Sequence, residues 1–178
     1  RRARRRHPGW PRLECLPARA FHRTWRGLDD PLDLPARDPA ATVSLSADLL
    51  QALAAEWLFV AGMVHEGDET VLLLSPDEPG FWAHVTVQPE FADGAPDPLD
   101  RWSKRVIGAL AELLGGRALF PSDGPPYAPF FDWALRSGTA RQSPIRLMVQ
   151  ERMGLWASFR GALLIPGLLP LPEPTEPP

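Results

Sequence analysis

The sequence predicts a mixed α/β fold, with helices packed on a largely antiparallel sheet. Three observations carry that prediction. Apolar residues between positions 46 and 165 switch between helical spacing and period-two alternation. Clusters of Gly, Pro, Asp and Ser separate the switches and mark turns. The resulting order is helix, hairpin, helix, helix, strand, helix, hairpin, with no internal repeat.

Taken in order, the domain begins at Ser44 or Ser46, either of which can cap a helix. Leu49, Leu50, Leu53, Ala54 and Trp57 follow at helical spacing. Trp57 to Val64 is apolar and partly β-branched, as a strand requires, and His65 to Glu69 is a polar turn. Thr70 to Leu74 completes a hairpin. Ser75-Pro76-Asp77-Glu78 then predicts a helix start, with Ser as the cap, Pro at the first helical position and Glu at the third. Phe81, Trp82 and Val85 give that helix its apolar face, and Pro89 ends it. Asp97-Pro98-Leu99-Asp100 repeats the start pattern. Leu99, Trp102, Val106, Ala109, Leu110 and Leu113 form the best amphipathic period in the chain, closed by Gly115-Gly116.

Arg117 to Phe120 is a short strand leading into the loop Ser122-Asp123-Gly124-Pro125-Pro126. Pro129 opens a helix carrying Phe130, Trp133, Ala134 and Ser137, with Gly138 as its stop. Ile145, Leu147 and Val149 alternate with polar or flexible residues as one strand of a second hairpin. Glu151 to Gly154 is its turn. Leu155, Ala157 and Phe159 begin its other strand, and Ala162 to Ile165 ends it as a run apolar enough to be buried on both faces. The organisation is therefore a leader over residues 1–43, one α/β domain over residues 44–165, and a tail over residues 166–178. Six of the tail's thirteen residues are proline, the composition of an extended linker.

Charge is unevenly placed. The net charge is −3, yet residues 1–43 carry ten Arg against five acidic residues. The rest carries nine basic against seventeen acidic residues. A basic arm on an acidic domain is one way to hold nucleic acid. Here the dense run is Arg only, six prolines interrupt the first 43 residues, and these hold no clear amphipathic period, so a disordered or non-native leader without nucleic-acid function is the expectation. No stretch of about 18 apolar residues exists, so no membrane-spanning helix is expected. The single cysteine, Cys15, excludes a disulfide framework and a cysteine-ligated metal site within this chain. A reducing, cytoplasmic setting is the default.

Few residues carry chemical signals. His65 falls in a turn and His84 on a helix, and neither has a metal-ligand partner at suitable spacing. Most of the Trp residues sit inside elements and read as core. Trp156 differs, because it shares its alternation phase with Ser158 and Arg160 and so points to the face opposite Leu155 and Phe159. A Trp and an Arg on one face suit a flat ligand. Asp123 stands in a loop at a strand end, a common position for functional groups. It is equally the residue that begins a turn.

The runs Asp123-Gly124-Pro125, Asp132 to Gly138, Gly154-Leu155-Trp156 and Arg160 to Leu163 resemble the N-terminal region of epoxyqueuosine-reductase-like proteins. With Glu78 to Trp82 and Asp97 to Trp102, the chain is more similar still to a set of bacterial ferredoxin-like iron–sulfur proteins, over roughly Ser44 to Pro172. The resemblance implies a redox-associated domain followed by a cysteine-rich ferredoxin segment holding 4Fe–4S clusters, expected here beyond Pro178. It also implies cobalamin as a candidate cofactor. Asp123 would then be the catalytic acid, its pKa raised by burial, with Tyr127, Trp156 and Arg160 contacting the corrinoid. Two departures are visible. Asp123 directly precedes Gly124, one place closer than in the reductase motif, and Thr139 to Pro144 replaces that family's Gly-x-Gly-Trp-x-Gly-Lys stretch. The other reading is a non-catalytic scaffold or protein-interaction domain that keeps the fold without a ligand.

Overall fold

The computed structural model of the chain describes residues 45–173. The leader over residues 1–43, with its Arg run and Cys15, lies outside the described residues, as do Ser44 and the last five residues.

Strand pairing starts from a hairpin. Strand β1 (Leu58–Glu66) and strand β2 (Glu69–Pro76) pair antiparallel around Gly67, whose φ of 59° suits a residue without Cβ. Strand β3 (Arg117–Leu119) and strand β6 (Gly161–Pro166) complete one sheet in the order β1-β2-β6-β3, every neighbouring pair antiparallel. Strands β4 (Ala140–Gln142) and β5 (Met148–Gln150) form a separate antiparallel pair.

Both faces of the four-stranded sheet are covered. On one lie helices α1 (Ala47–Ala55), α2 (Phe81–Val85) and α4 (Pro98–Leu113), which bury Leu53, Phe81, Trp102 and Ile107 against Leu72, Leu74 and Leu163. On the other, helix α5 (Phe130–Arg136) and the β4–β5 pair bury Trp133, Ala134 and Ala140 against Val71, Leu73 and Leu164. Full burial of each Val, Leu, Ile or Phe among them is worth about 1.5–3 kcal/mol. Trp133 and Arg136 of α5 also bond Glu66 at the end of β1, at 3.0 and 2.7 Å.

Most elements fall where the sequence places them. Ser46 caps α1 by accepting from the Leu49 N–H at 3.2 Å, and Pro98 occupies the first turn of α4. Asp97 makes no side-chain cap there. The buried run expected at Ala162–Leu164 is in place.

Four expectations need correction. The helix expected from Ser75 starts six residues later, at Phe81. Ser75 and Pro76 instead extend β2 opposite Phe59 and Leu58, and the Asp77 N–H bonds the Trp57 carbonyl at 2.7 Å. The helix begins just beyond Gly80, against which the Trp57 ring lies so closely that no Cβ would fit. Secondly, Pro89 does not simply end α2. It opens a further turn of helix, α3 (Pro89–Ala92).

Thirdly, the second hairpin is paired differently. Residues 148–150 take upstream residues 140–142 as their partner, while β6 pairs with β2 and β3. A tight loop makes this possible: the Ser143 N–H bonds the Leu147 carbonyl at 2.8 Å, and Arg146 takes a φ of 65°. β6 is apolar on both sides, so it gains more between two strands than at the end of a hairpin. Residues 155–159 consequently form no strand.

Fourthly, the tail is not wholly a free linker. Leu169 is buried in the core, and Thr70, itself fully buried, ties the chain around it. The Thr70 hydroxyl donates to the Gly167 carbonyl at 2.7 Å and accepts from the Leu169 N–H at 2.9 Å. His65 Nε2 donates to the Leu169 carbonyl at 2.8 Å. Thr70→Val keeps the shape but leaves the buried Leu169 N–H, and the more exposed Gly167 carbonyl, without their partner, so it is expected to lower stability by about 1–3 kcal/mol. A denaturation midpoint reads the loss, and hydrogen exchange should show the Leu169 amide losing protection. Unchanged protection at Leu169 would refute the clasp.

Candidate functional site

The site is built where β2 runs out and the chain has to reach α2. Pro76 and Glu78 form one side, Phe81 and Trp82 of α2 another, and Leu99 of the first α4 turn the floor. Met153, Trp156, Ser158 and Arg160 close it from the stretch between β5 and β6. The cavity is about 370 Å³ and mostly apolar.

Gln150 holds that last wall in place. It is 4 % exposed, and its side-chain oxygen accepts from the N–H groups of Arg152 and Met153 at 2.8 and 2.7 Å. Its amide nitrogen donates to the Ala61 carbonyl at 3.3 Å, at the bulge of β1. The Arg152 guanidinium lies over the Phe59 ring, 4.0 Å from its centre, and pairs with Asp77. The turn carrying Met153 and Trp156 is therefore fastened to the sheet at two points.

Arg160 is the polar member. It is half-buried; its Nη2 donates to the Ser158 hydroxyl at 3.0 Å. Its Nε is buried and has no hydrogen-bond partner among the described residues. Burial lowers its pKa from the usual arginine value, and the negative charge of Asp100 opposes that shift. It nevertheless remains a cation at neutral pH.

Of the four residues the sequence singles out, two meet here. Trp156 and Arg160 line the same pocket, and Trp156 is 84 % exposed, so its flat face is available. Removing it would leave no cavity. Asp123 and Tyr127 are not among the lining residues. Tyr127 is exposed in an irregular loop.

Asp123 acts as a turn residue. It accepts from the Phe120 N–H at 3.0 Å and pairs with Lys104 Nζ at 2.8 Å. The Lys104 ammonium holds its carboxyl below the usual aspartate range, against a smaller opposing effect of burial. A catalytic acid needs the opposite shift. The carboxylate expected to be raised by burial is thus kept ionised.

The sequence reading misses Trp82, Phe81, Leu99 and Gln150. Trp82 and Phe81 are adjacent on a five-residue helix, so both could not face the core; Phe81 is buried and Trp82 is 55 % exposed. That adjacency is the available signal. His84 is not among the lining residues and binds Glu56 at 3.0 Å, and no group of three or more His, Cys, Asp or Glu among the described residues is arranged to hold a metal. None of the helices among the described residues is long and apolar enough to cross a membrane. No protein-family model, curated protein or solved structure matches this chain.

The Asp123–Lys104 pair makes a direct prediction. Its folded-state pKa lies below the unfolded one, so its contribution is complete above the unfolded value and disappears as pH falls through the folded value. Lys104→Met is expected to move the Asp123 pKa upward, read by NMR titration of the carboxyl carbon. An unmoved pKa would mean that Lys104 does not set it.

Proposed function

We propose that this chain is the ligand-binding domain of a redox-associated, ferredoxin-like iron–sulfur protein, with the pocket of Trp82, Trp156 and Arg160 as its ligand site. One observation carries the binding part: a half-buried cation, with one buried unbonded nitrogen and no carboxylate ion-paired to it among the described residues, lies in a mostly apolar cavity flanked by two exposed indoles. Pockets that orient small molecules have this composition, a mostly apolar lining with few polar anchors. The redox context rests on the resemblance over residues 44–172. With one cysteine, the chain lacks the thiolates a 4Fe–4S cluster needs, so any cluster belongs to the proposed cysteine-rich segment after Pro178.

A corrinoid fits this pocket poorly. The cavity is near the lower end of the ~300–1,000 Å³ typical of small-molecule sites. A corrin ring with its amide arms is larger, and only an edge would enter. Asp123 and Tyr127 stand outside the lining, and Asp123 is ionised. No catalytic step is assigned to a corrinoid.

The second reading, a scaffold or protein-interaction domain, draws on Ile145, Leu147 and Leu155, apolar residues left exposed around the β4–β5 pair. A fragment screen by NMR separates the two. Hits are expected to shift the indole signals of Trp82 and Trp156, and Trp156→Ala to weaken them while changing stability by less than about 0.5 kcal/mol. Hydroxocobalamin is expected to keep its visible spectrum on mixing; a shift abolished in Trp156→Ala would seat a corrinoid here after all. Fragments that bind nowhere near these indoles would leave the interaction reading in front.

A further inference from the structure

We infer that the ligand of this pocket is a flat aromatic monocarboxylate, anchored by Arg160; the inference rests on the pocket being the ligand site. The starting point is how this protein treats its other arginines. Arg101, Arg105, Arg117, Arg136 and Arg152 each pair with a carboxylate. Arg141 and Arg146 are exposed to water. Arg160 alone among the described arginines combines a buried guanidinium nitrogen with no carboxylate in ion-pair reach.

A buried cation is costly unless an anion faces it. Asp100 attracts it through space without bonding it, and Ser158 takes one of its donors. The remaining donors of a planar fork match a carboxylate or a phosphate. Charge chooses between them. Glu78 lines the pocket and Asp100 acts on Arg160, while no lysine or second arginine is in the lining. Glu78 and Asp100 repel a dianion more strongly than a monoanion, so of the two the monoanion is the one that direct bonding to Arg160 can hold.

The body of the ligand follows from the walls. Trp82 and Trp156 are exposed indoles, and Phe81, Leu99 and Met153 supply apolar surface between them. Such surfaces take an aromatic ring in stacked or edge-on contact. A volume of about 370 Å³ holds a one- or two-ring compound.

The test uses the full chain and three probes of one shape, 2-naphthoate, 2-naphthamide and 2-naphthyl phosphate, titrated by calorimetry near pH 7. The naphthoate is expected to bind at least tenfold more tightly than either of the others. In Arg160→Gln it should fall to the level of the amide, with the amide unchanged. If that variant does not fold, the ranking in the unaltered protein decides alone. An amide as tight as the naphthoate overturns the carboxylate anchor and leaves the pocket standing. A tighter phosphate overturns the monoanion. Binding by none of the three overturns the pocket as a ligand site, and the inference with it.

Discussion

Everything else in this domain depends on β2 being buried on both faces. Val71 to Leu74 show no exposed surface, so neither side of the strand can be given to water. Two apolar layers are then required, α1, α2 and α4 on one side and α5 with the β4–β5 pair on the other. The same constraint selects the neighbours. A strand in this position needs a partner on each edge, and β6, apolar at Ala162 to Leu164, is the one that can share both layers. At the sheet edge, β1 is protected differently. Its bulge turns the Ala61 carbonyl toward Thr139 and Gln150, which bond it at 2.6 and 3.3 Å. Gln150 of β5 and Thr139, just before β4, thus occupy the edge where another strand would otherwise add.

The pocket is a consequence of that arrangement. Because β6 leaves β5 to pair with β2, ten residues must travel from Gln150 to Gly161 without a ladder of their own. Their backbone groups are satisfied piecemeal: Gln150 takes two, its own N–H bonds the Gly154 carbonyl, and the Arg160 N–H reaches the Leu74 carbonyl. An irregular segment held this way is fixed in place yet free to present side chains off the sheet. Trp156 and Arg160 use that freedom.

How much of this was legible follows the same division. The hairpin, the amphipathic α4 and the buried run at Ala162 are local patterns, and local periodicity identifies them. The partner of residues 148–150 is not local information. An alternating segment reads the same whether it pairs upstream or downstream, and only the competition for β2 decides. Ser75-Pro76 was misleading for a related reason: capping residues signal a helix only where strand pairing has ended, and the Trp57 carbonyl prolongs the pairing to Asp77. In the site, the shared phase of Trp156 and Arg160 pointed to two residues that do meet, although no strand forms there. Gln150 could not be read at all, since its role consists of bonds to groups two and three residues on and to Ala61 across the chain.

Helix α4 explains why Asp123 stays outside this site. Leu99 and Asp100 at its start face the pocket and Arg160, while Lys104, one turn or about 6 Å further on, holds Asp123. The two carboxylates therefore have opposite surroundings along one helix. Asp123 has a cation of its own and gains nothing by taking a proton. Asp100 acts on an arginine it does not bond, and so leaves that cation's charge only partly compensated. The group with unsatisfied electrostatics is Arg160, which is why the physical argument for function moves from the acid to the cation.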